Sequence, residues 1–247
     1  MWLVVLLVLY FDRASTSMER PLGILVHGCH LDSVGWETIV WGQPPTLLGR
    51  LPHAALLAWE ERQDLACVCF GTGASALADG MLESEVTLAL LFDRIHLLRE
   101  FDAFRHVPIN ELEVLLKRVT NADITSQNTA EEVREGLKRF EAMGIQRAVL
   151  VSSPTHLPRC LAVACALHEA EPTVFSGTIW ASPCATNYIG YGAEDVVVVE
   201  PPHRGDRDRS LDAFPLHKMV RRSYHILAHR RRRFLERLDG LLCDFDV

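Results

Sequence analysis

Four short polar stretches carry the residue types that do chemistry, and each follows an apolar run. His27, Gly28, Cys29 and His30 follow PLGILV; Gly71, Thr72 and Gly73 follow LACVCF; Ser152, Ser153, His156 and Arg159 follow AVLV; His203, Arg204 and Asp206 follow DVVVV and Glu200. An imidazole with an unperturbed pKa of about 6.5 suits proton transfer near neutral pH. A guanidinium grips a carboxylate or phosphate with a planar fork. The sharpest of the four is Ser152-Ser-Pro-Thr-His156-Leu-Pro-Arg159. It opens a helix, so free backbone N–H groups and the positive end of the helix dipole face outward at this point. Arg159 lies one turn beyond His156, and the two can aim at one spot. Together they suit a phosphate, a carboxylate or a sulfonium-bearing amino acid. The plain alternative is that Ser153 or Thr155 caps the helix while His156 and Arg159 cover its first turn.

The other stretches are weaker. Ser126-Gln-Asn128-Thr129 opens a helix marked by a capping box, Thr129-Ala-Glu-Glu132. Capping explains Thr129 and Glu132 but does not require Asn128 or Ser126, which are free to reach a ligand. His27-Gly-Cys-His30 has the residue types of a metal cluster. Such tight spacing rarely lets three side chains meet one ion in tetrahedral geometry, so no metal centre is expected there; a glycine that lets the backbone approach a ligand is favoured instead. Gly71-Thr-Gly73 lacks the full G-x-G-x-x-G and the P-loop lysine. No G-x-S-x-G elbow is present. The run His229-Arg-Arg-Arg-Arg233 reads as a solvated helix face, with the acidic body or an anionic membrane surface as alternative partners.

The elements that must position these residues alternate between strand and helix. Strands are expected over 21–26, 65–70, 148–151, 174–176 and 195–199. Helices are expected over 52–61, 83–100, 108–119, 128–143, 157–170 and 216–242. Alternation of this kind predicts an α/β fold, a mostly parallel sheet with helices on both faces. In a doubly wound sheet the carboxyl ends of the strands share one edge, and ligands bind along it. The four polar stretches should therefore converge, although they are far apart in sequence.

Composition sets the outer bounds. The 247 residues are 49% hydrophobic and 23% charged, ordinary for a globular chain. The net charge of −7 conceals a division: residues 1–202 hold 14 basic and 25 acidic side chains, whereas 203–239 hold 11 basic and 5 acidic. An acidic body lacks the phosphate-neutralising surface that nucleic-acid affinity needs, so no nucleic-acid partner is expected. The seven cysteines, at 29, 67, 69, 160, 165, 184 and 243, form no C-x-x-C pair and sit mostly in apolar runs. They read as small buried hydrophobes in a reducing compartment, and the expected location is cytoplasmic. The apolar run 1–11 lacks a basic start and falls short of the about 20 residues that span a bilayer. It is read as an extension, 1–20, with peripheral membrane association as an alternative and Met18 as an alternative start. Residues 21–247 are read as one domain.

The motifs together resemble the YdcF-like family, a domain of unknown function shared with SanA and ElyC. The resemblance covers roughly 21–206. It is carried by Ser126-Gln-Asn-Thr-Ala-Glu-Glu132 and then Val149-Leu-Val-Ser-Ser-Pro-Thr-His-Leu-Pro-Arg159, similar to the family's S-x-N-T-x-E-N, an apolar strand and T-S-x-x-H-x-x-R-A. Weaker matches are Gly28, Arg50, Gly71 with Gly73, and Ser84-Glu85. Glu132 stands in place of the family's Asn, Cys160 in place of Ala, and 96–123 looks like an inserted helical segment. The resemblance implies a Rossmann-like three-layer sandwich whose motifs line one crevice. It implies Arg50, Glu85, Asn128, Thr129, His156 and Arg159 as site residues, and S-adenosylmethionine as one candidate ligand. Two functions follow. In one, an enzyme of transferase or hydrolase type acts on an anionic small molecule (a nucleotide, S-adenosylmethionine or a phosphorylated precursor); Arg50, Arg159 and Arg204 hold its charge, His156 is general acid or base, and Glu85 orients a donor or polarises the histidine. In the other, the chain is a non-catalytic ligand-binding or cell-envelope-support module.

Overall fold

The computed structural model describes residues 21–33, 35–153 and 156–184, together with the backbone of two short strands at 197–200 and 212–215. In chain order the elements are strand β1 (Leu22–Val26), helix α1 (Trp36–Val40), strands β2 (Gly42–Gln43) and β3 (Leu47–Leu48), and helix α2 (Arg50–Glu60). Strand β4 (Leu65–Phe70) and helix α3 (Glu83–Asp93) come next, followed by two 3-10 turns (Ile95–Glu100 and Asp102–Phe104). The chain continues through helix α4 (Ile109–Val119), strand β5 (Thr120–Ala122), helix α5 (Thr129–Ala142), strand β6 (Arg147–Ser152), helix α6 (Leu157–Ala170), and strands β7 (Thr178–Pro183), β8 (Val197–Glu200) and β9 (Asp212–Pro215). The expected helix over 216–242, the run 1–11 and the trio His203, Arg204 and Asp206 lie outside the described residues.

Five strands form one all-parallel sheet in the order β5-β4-β1-β6-β7. The chain steps outward from β1 through β4 to β5, then crosses back to β6 on the other side of β1. This reversal is a topological switch point, and in open α/β sheets the crevice outside it is where ligands bind. The architecture is the expected Rossmann-like α/β sandwich. Side chains alternate between the faces of a strand. Ile24, Val26, Val68 and Phe70 pack with α2 and α4 on one face. Leu25, Cys67, Cys69, Ala148 and Leu150 pack with α5 and α6 on the other. Each such aliphatic or aromatic side chain contributes about 1.5–3 kcal/mol on full burial.

Several elements depart from expectation. Val174 and Phe175 are core residues, but the strand is Thr178–Pro183, paired with β6. Pro183 is tolerated because β7 is an edge strand. The helix expected over 83–100 stops at Asp93 and continues as a 3-10 turn. Strand β8 does not join the parallel sheet; it pairs antiparallel with β9. The six cysteines among the described residues are free thiols. Among the described residues no helix is long and apolar enough to cross a membrane.

Candidate functional site

The site grows from the end of β1. Its ladder carries one residue beyond the strand, with the His27 N–H donating to the Val151 carbonyl at 2.9 Å. Alternation then sends the His27 side chain to the same face as Leu25, toward α5 and α6. There the ring is 1% exposed, and its Nδ1 lies 2.8 Å from Glu132 Oε2. Glu132 stands one helical turn before Gly136, which packs on Leu25, so α5 turns it inward with its apolar stripe. Its second oxygen accepts the Gly28 N–H at 2.9 Å. Two glycines make this approach sterically feasible. A Cβ at Gly71 would stand 1.8 Å from Glu132 Oε1, and one at Gly28 would stand 2.1 Å from Glu83 Oε1.

Helix α6 supplies the opposite wall. His156 occupies its N-cap position, and Cys160, one turn later, is buried. The rings of His156 and His27 meet edge-on with centroids 6.0 Å apart. Ligand-capable atoms of His27, His156 and Cys160 all lie within 4.8 Å of one another. His27 Nε2 is buried with no hydrogen-bond partner among the described residues.

Arg50, the first residue of α2, fastens the two strand ends together. Its Nε donates to Ser153 Oγ at 3.0 Å, and one Nη donates to the carbonyls of His27, at 2.8 Å, and of Gly28. The loop after β4 is tied to that after β5: Thr72 Oγ1 donates to the Ser126 carbonyl, and Gln127 Nε2 donates to the Gly73 carbonyl at 3.0 Å.

The electrostatics of the buried groups are uneven. Burial alone would lower His27, but the Cys160 and Glu132 side chains outweigh it and push its pKa up to about 10. His156 moves the other way. Burial, then the charges of Arg50, His27 and Arg159, hold it well below the usual imidazole range. It is therefore neutral at physiological pH, with a ring nitrogen left to accept a hydrogen bond. Burial raises Glu83 to about 7, against the pull of its hydrogen bond from Ser75 Oγ at 2.5 Å.

Of the residues expected at the site, Gly28, Arg50, Gly71, Ser152, Ser153, His156 and Arg159 gather around the ends of β1, β4 and β6. The two glycines are explained by the carboxylates that pass them. Glu85 is a correction: it is exposed, and its Oε2 accepts the Leu82 N–H at 2.9 Å as part of the helix start. The carboxylate that reaches the site is Glu83, two residues earlier on the inward face with Thr87 and Leu91. Asn128 is the N-cap of α5; its Oδ1 accepts the Glu131 N–H at 3.0 Å and its Nδ2 donates to Glu131 Oε1 at 2.7 Å. Thr129 is the first helical residue. The cap thus falls one residue earlier than the sequence pattern places it, which releases Glu132 for the site. Gly73 packs against the Ile124 carbonyl rather than facing a ligand. The cluster His27-Gly-Cys-His30 does not converge, since His30 is exposed beside Asp32 at 3.8 Å.

Sequence reasoning missed the His27 side chain, Glu83, Glu132 and Cys160 as site residues. The available signals were the period-2 continuation of β1 to His27 and the i, i+4 spacing of His156 and Cys160 on one helix face. Comparisons with family models, with curated proteins and with solved structures find no match to this chain.

Proposed function

We propose that the crevice over the ends of β1 and β6 binds an anionic small molecule and transfers or hydrolyses one of its groups. The ligand class is a nucleotide, the carboxylate of S-adenosylmethionine, or a phosphorylated precursor. The observation that carries this reading is the set of cationic groups, Arg50, Arg159 and His27, that face neutral His156 where α6 opens onto the switch point. Glu83, with a pKa near 7, supplies a buried acid–base group beside them. The resemblance to the YdcF-like family points to the same crevice and the same ligand class. The proposed compartment is the cytoplasm, where cysteines stay reduced.

A thermal-shift panel of nucleotides, S-adenosylmethionine and phosphorylated sugars, run in chelator, tests binding. A ligand at a hundredfold excess over its Kd stabilises by about 2.7 kcal/mol. The expected result is stabilisation by a member of the panel that is lost in Arg159→Ala, with product appearing on incubation. A panel that never shifts the wild-type transition overturns the reading. One observation favours the non-catalytic alternative: Arg50 donates to the protein's own carbonyls and to Ser153, as a brace between strand ends would. That alternative holds if a ligand stabilises the protein and is recovered unchanged.

A further inference from the structure

We infer that His27, His156 and Cys160 form a divalent-metal site of the zinc type, with one coordination position open toward the crevice and Glu132 positioning His27 from behind. Two imidazole nitrogens and a thiolate sulfur are the donor set that zinc takes in preference to magnesium or calcium. The three ligand-capable atoms lie within 4.8 Å of one another. With bonds of about 2.0–2.3 Å to nitrogen and sulfur, tetrahedral ligand atoms stand roughly 3.3–3.8 Å apart, so one ion joins all three once the triangle closes by up to about 1.5 Å. Three protein ligands is also the count of catalytic zinc sites, whose fourth position holds water or substrate.

Two independent features point to the ion. First, His27 Nε2 is buried and, among the described residues, meets only the Cys160 sulfur, without a well-formed hydrogen bond. A metal bond satisfies it. Second, Glu132 Oε2 sits 2.8 Å from the other ring nitrogen. A carboxylate there fixes the tautomer that presents Nε2 to the metal, the arrangement found behind zinc-bound histidines. His156 and Cys160 add the i, i+4 spacing by which one helix offers two ligands to one ion. The alternative is a direct thiol–imidazole contact of Cys160 with His27, which would take up no cobalt.

Loading exchanges protons for the ion. The Cys160 S–H proton and the Nε2 proton of cationic His27 leave to solvent as the two metal bonds form, and His156 binds as the neutral ring it already is. The thiolate and the Glu132 carboxylate offset the two positive charges. The positive charges of Arg50 and Arg159 act on His156 from alongside.

The experiment titrates full-length, chelator-stripped protein with cobalt(II) alone. The expected result is one saturable equivalent per chain, with visible bands of tetrahedral intensity, a near-ultraviolet thiolate-to-cobalt band, and displacement of both by zinc. Cys160→Ser should lose the thiolate band, whereas Cys165→Ser on the same helix should keep it. Glu132→Gln should weaken binding about 10–100-fold. His156→Gln changes a less deeply buried side chain than Cys160 and tests the site even if Cys160→Ser folds poorly; it should lower cobalt affinity with unaltered far-ultraviolet dichroism. A protein that takes up no cobalt, a thiolate band that survives Cys160→Ser, or His156→Gln binding with wild-type affinity overturns the site. No anion is present in the titration and no metal in the ligand panel, so the two can fail separately.

Discussion

At the amino edge of the parallel sheet Arg147 and the backbone of Leu22 and Gln146 pair simply, and at the carboxyl edge several buried polar groups do not. On the amino side Arg147 reaches Asp64 at 2.7 Å and Glu61 at 3.3 Å in a half-exposed ion pair. The backbone is closed by Leu22 N–H to the Asp64 carbonyl at 2.8 Å and Gln146 N–H to the Pro21 carbonyl at 2.9 Å. On the carboxyl side stand the buried side-chain atoms without a well-formed hydrogen bond among the described residues: His27 Nε2, Glu83 Oε1, Asp123 Oδ2, Ser126 Oγ and Ser152 Oγ, with Cys160 beside His27, the Cys29 backbone beside Glu83 and Ser126 beside Asp123. All five lie just after a strand of the sheet, in its last residue, or at the start of a helix on that edge. An orphan of this kind costs about 1–3 kcal/mol. Such costs gathered at one edge are what the proposed site would carry.

Substitutions at the two edges should therefore differ in size. Glu132→Ala has the largest expected effect, because it strips the partner from a fully buried histidine. Breaking a buried pair costs about 3–5 kcal/mol, read as a lowered urea midpoint; a loss below about 1 kcal/mol would erase the contrast between the edges. Next comes Glu83→Gln, whose effect depends on pH. The folded pKa of about 7 lies above the ordinary 4.5. The folded chain thus holds this proton longer than the unfolded chain does. The stability it contributes is full below about 4.5 and is lost as pH rises through 7. The loss is on the order of 3 kcal/mol. Glu83→Gln removes that dependence, so the variant should match the wild type near pH 5 and exceed it by up to about 3 kcal/mol at pH 8. Identical pH–stability profiles would show that Glu83 is not held protonated. The smallest effect belongs to Arg147→Ala at the amino edge, where partly exposed ion pairs contribute about 0–1 kcal/mol. A larger loss would mean that this edge, too, carries specific burial.

The parts of the fold that were legible in sequence are those whose local signals agree. LACVCF is a β-rich run that ends at a glycine and forms β4 as read, and Leu157–Ala170 follows its proline-marked start. Strand β5 was illegible because Thr-Asn-Ala has no strand signature; pairing with β4 holds it in place. Within the site, topology alone brought Gly28, Gly71, Ser153 and His156 to one edge. Glu83 could not be told from Glu85, since α3 is apolar on most sides and its inward face is settled by tertiary packing. Glu132 was hidden by a capping pattern that fits equally well one residue earlier, at Asn128 and Glu131. Cys160 read as a core residue because burial and proximity to His27 look the same in one dimension.

The central claim is that the carboxyl edge between β1 and β6 is where this protein meets an anion. Amide resonances followed through a titration with inorganic pyrophosphate test it most directly. The account predicts saturable shifts at Gly28, Ser153 and His156, with Asp64, Gln146 and Gly177 at the opposite edge unmoved. Shifts of equal size at both edges, or confined to the amino edge, would contradict it.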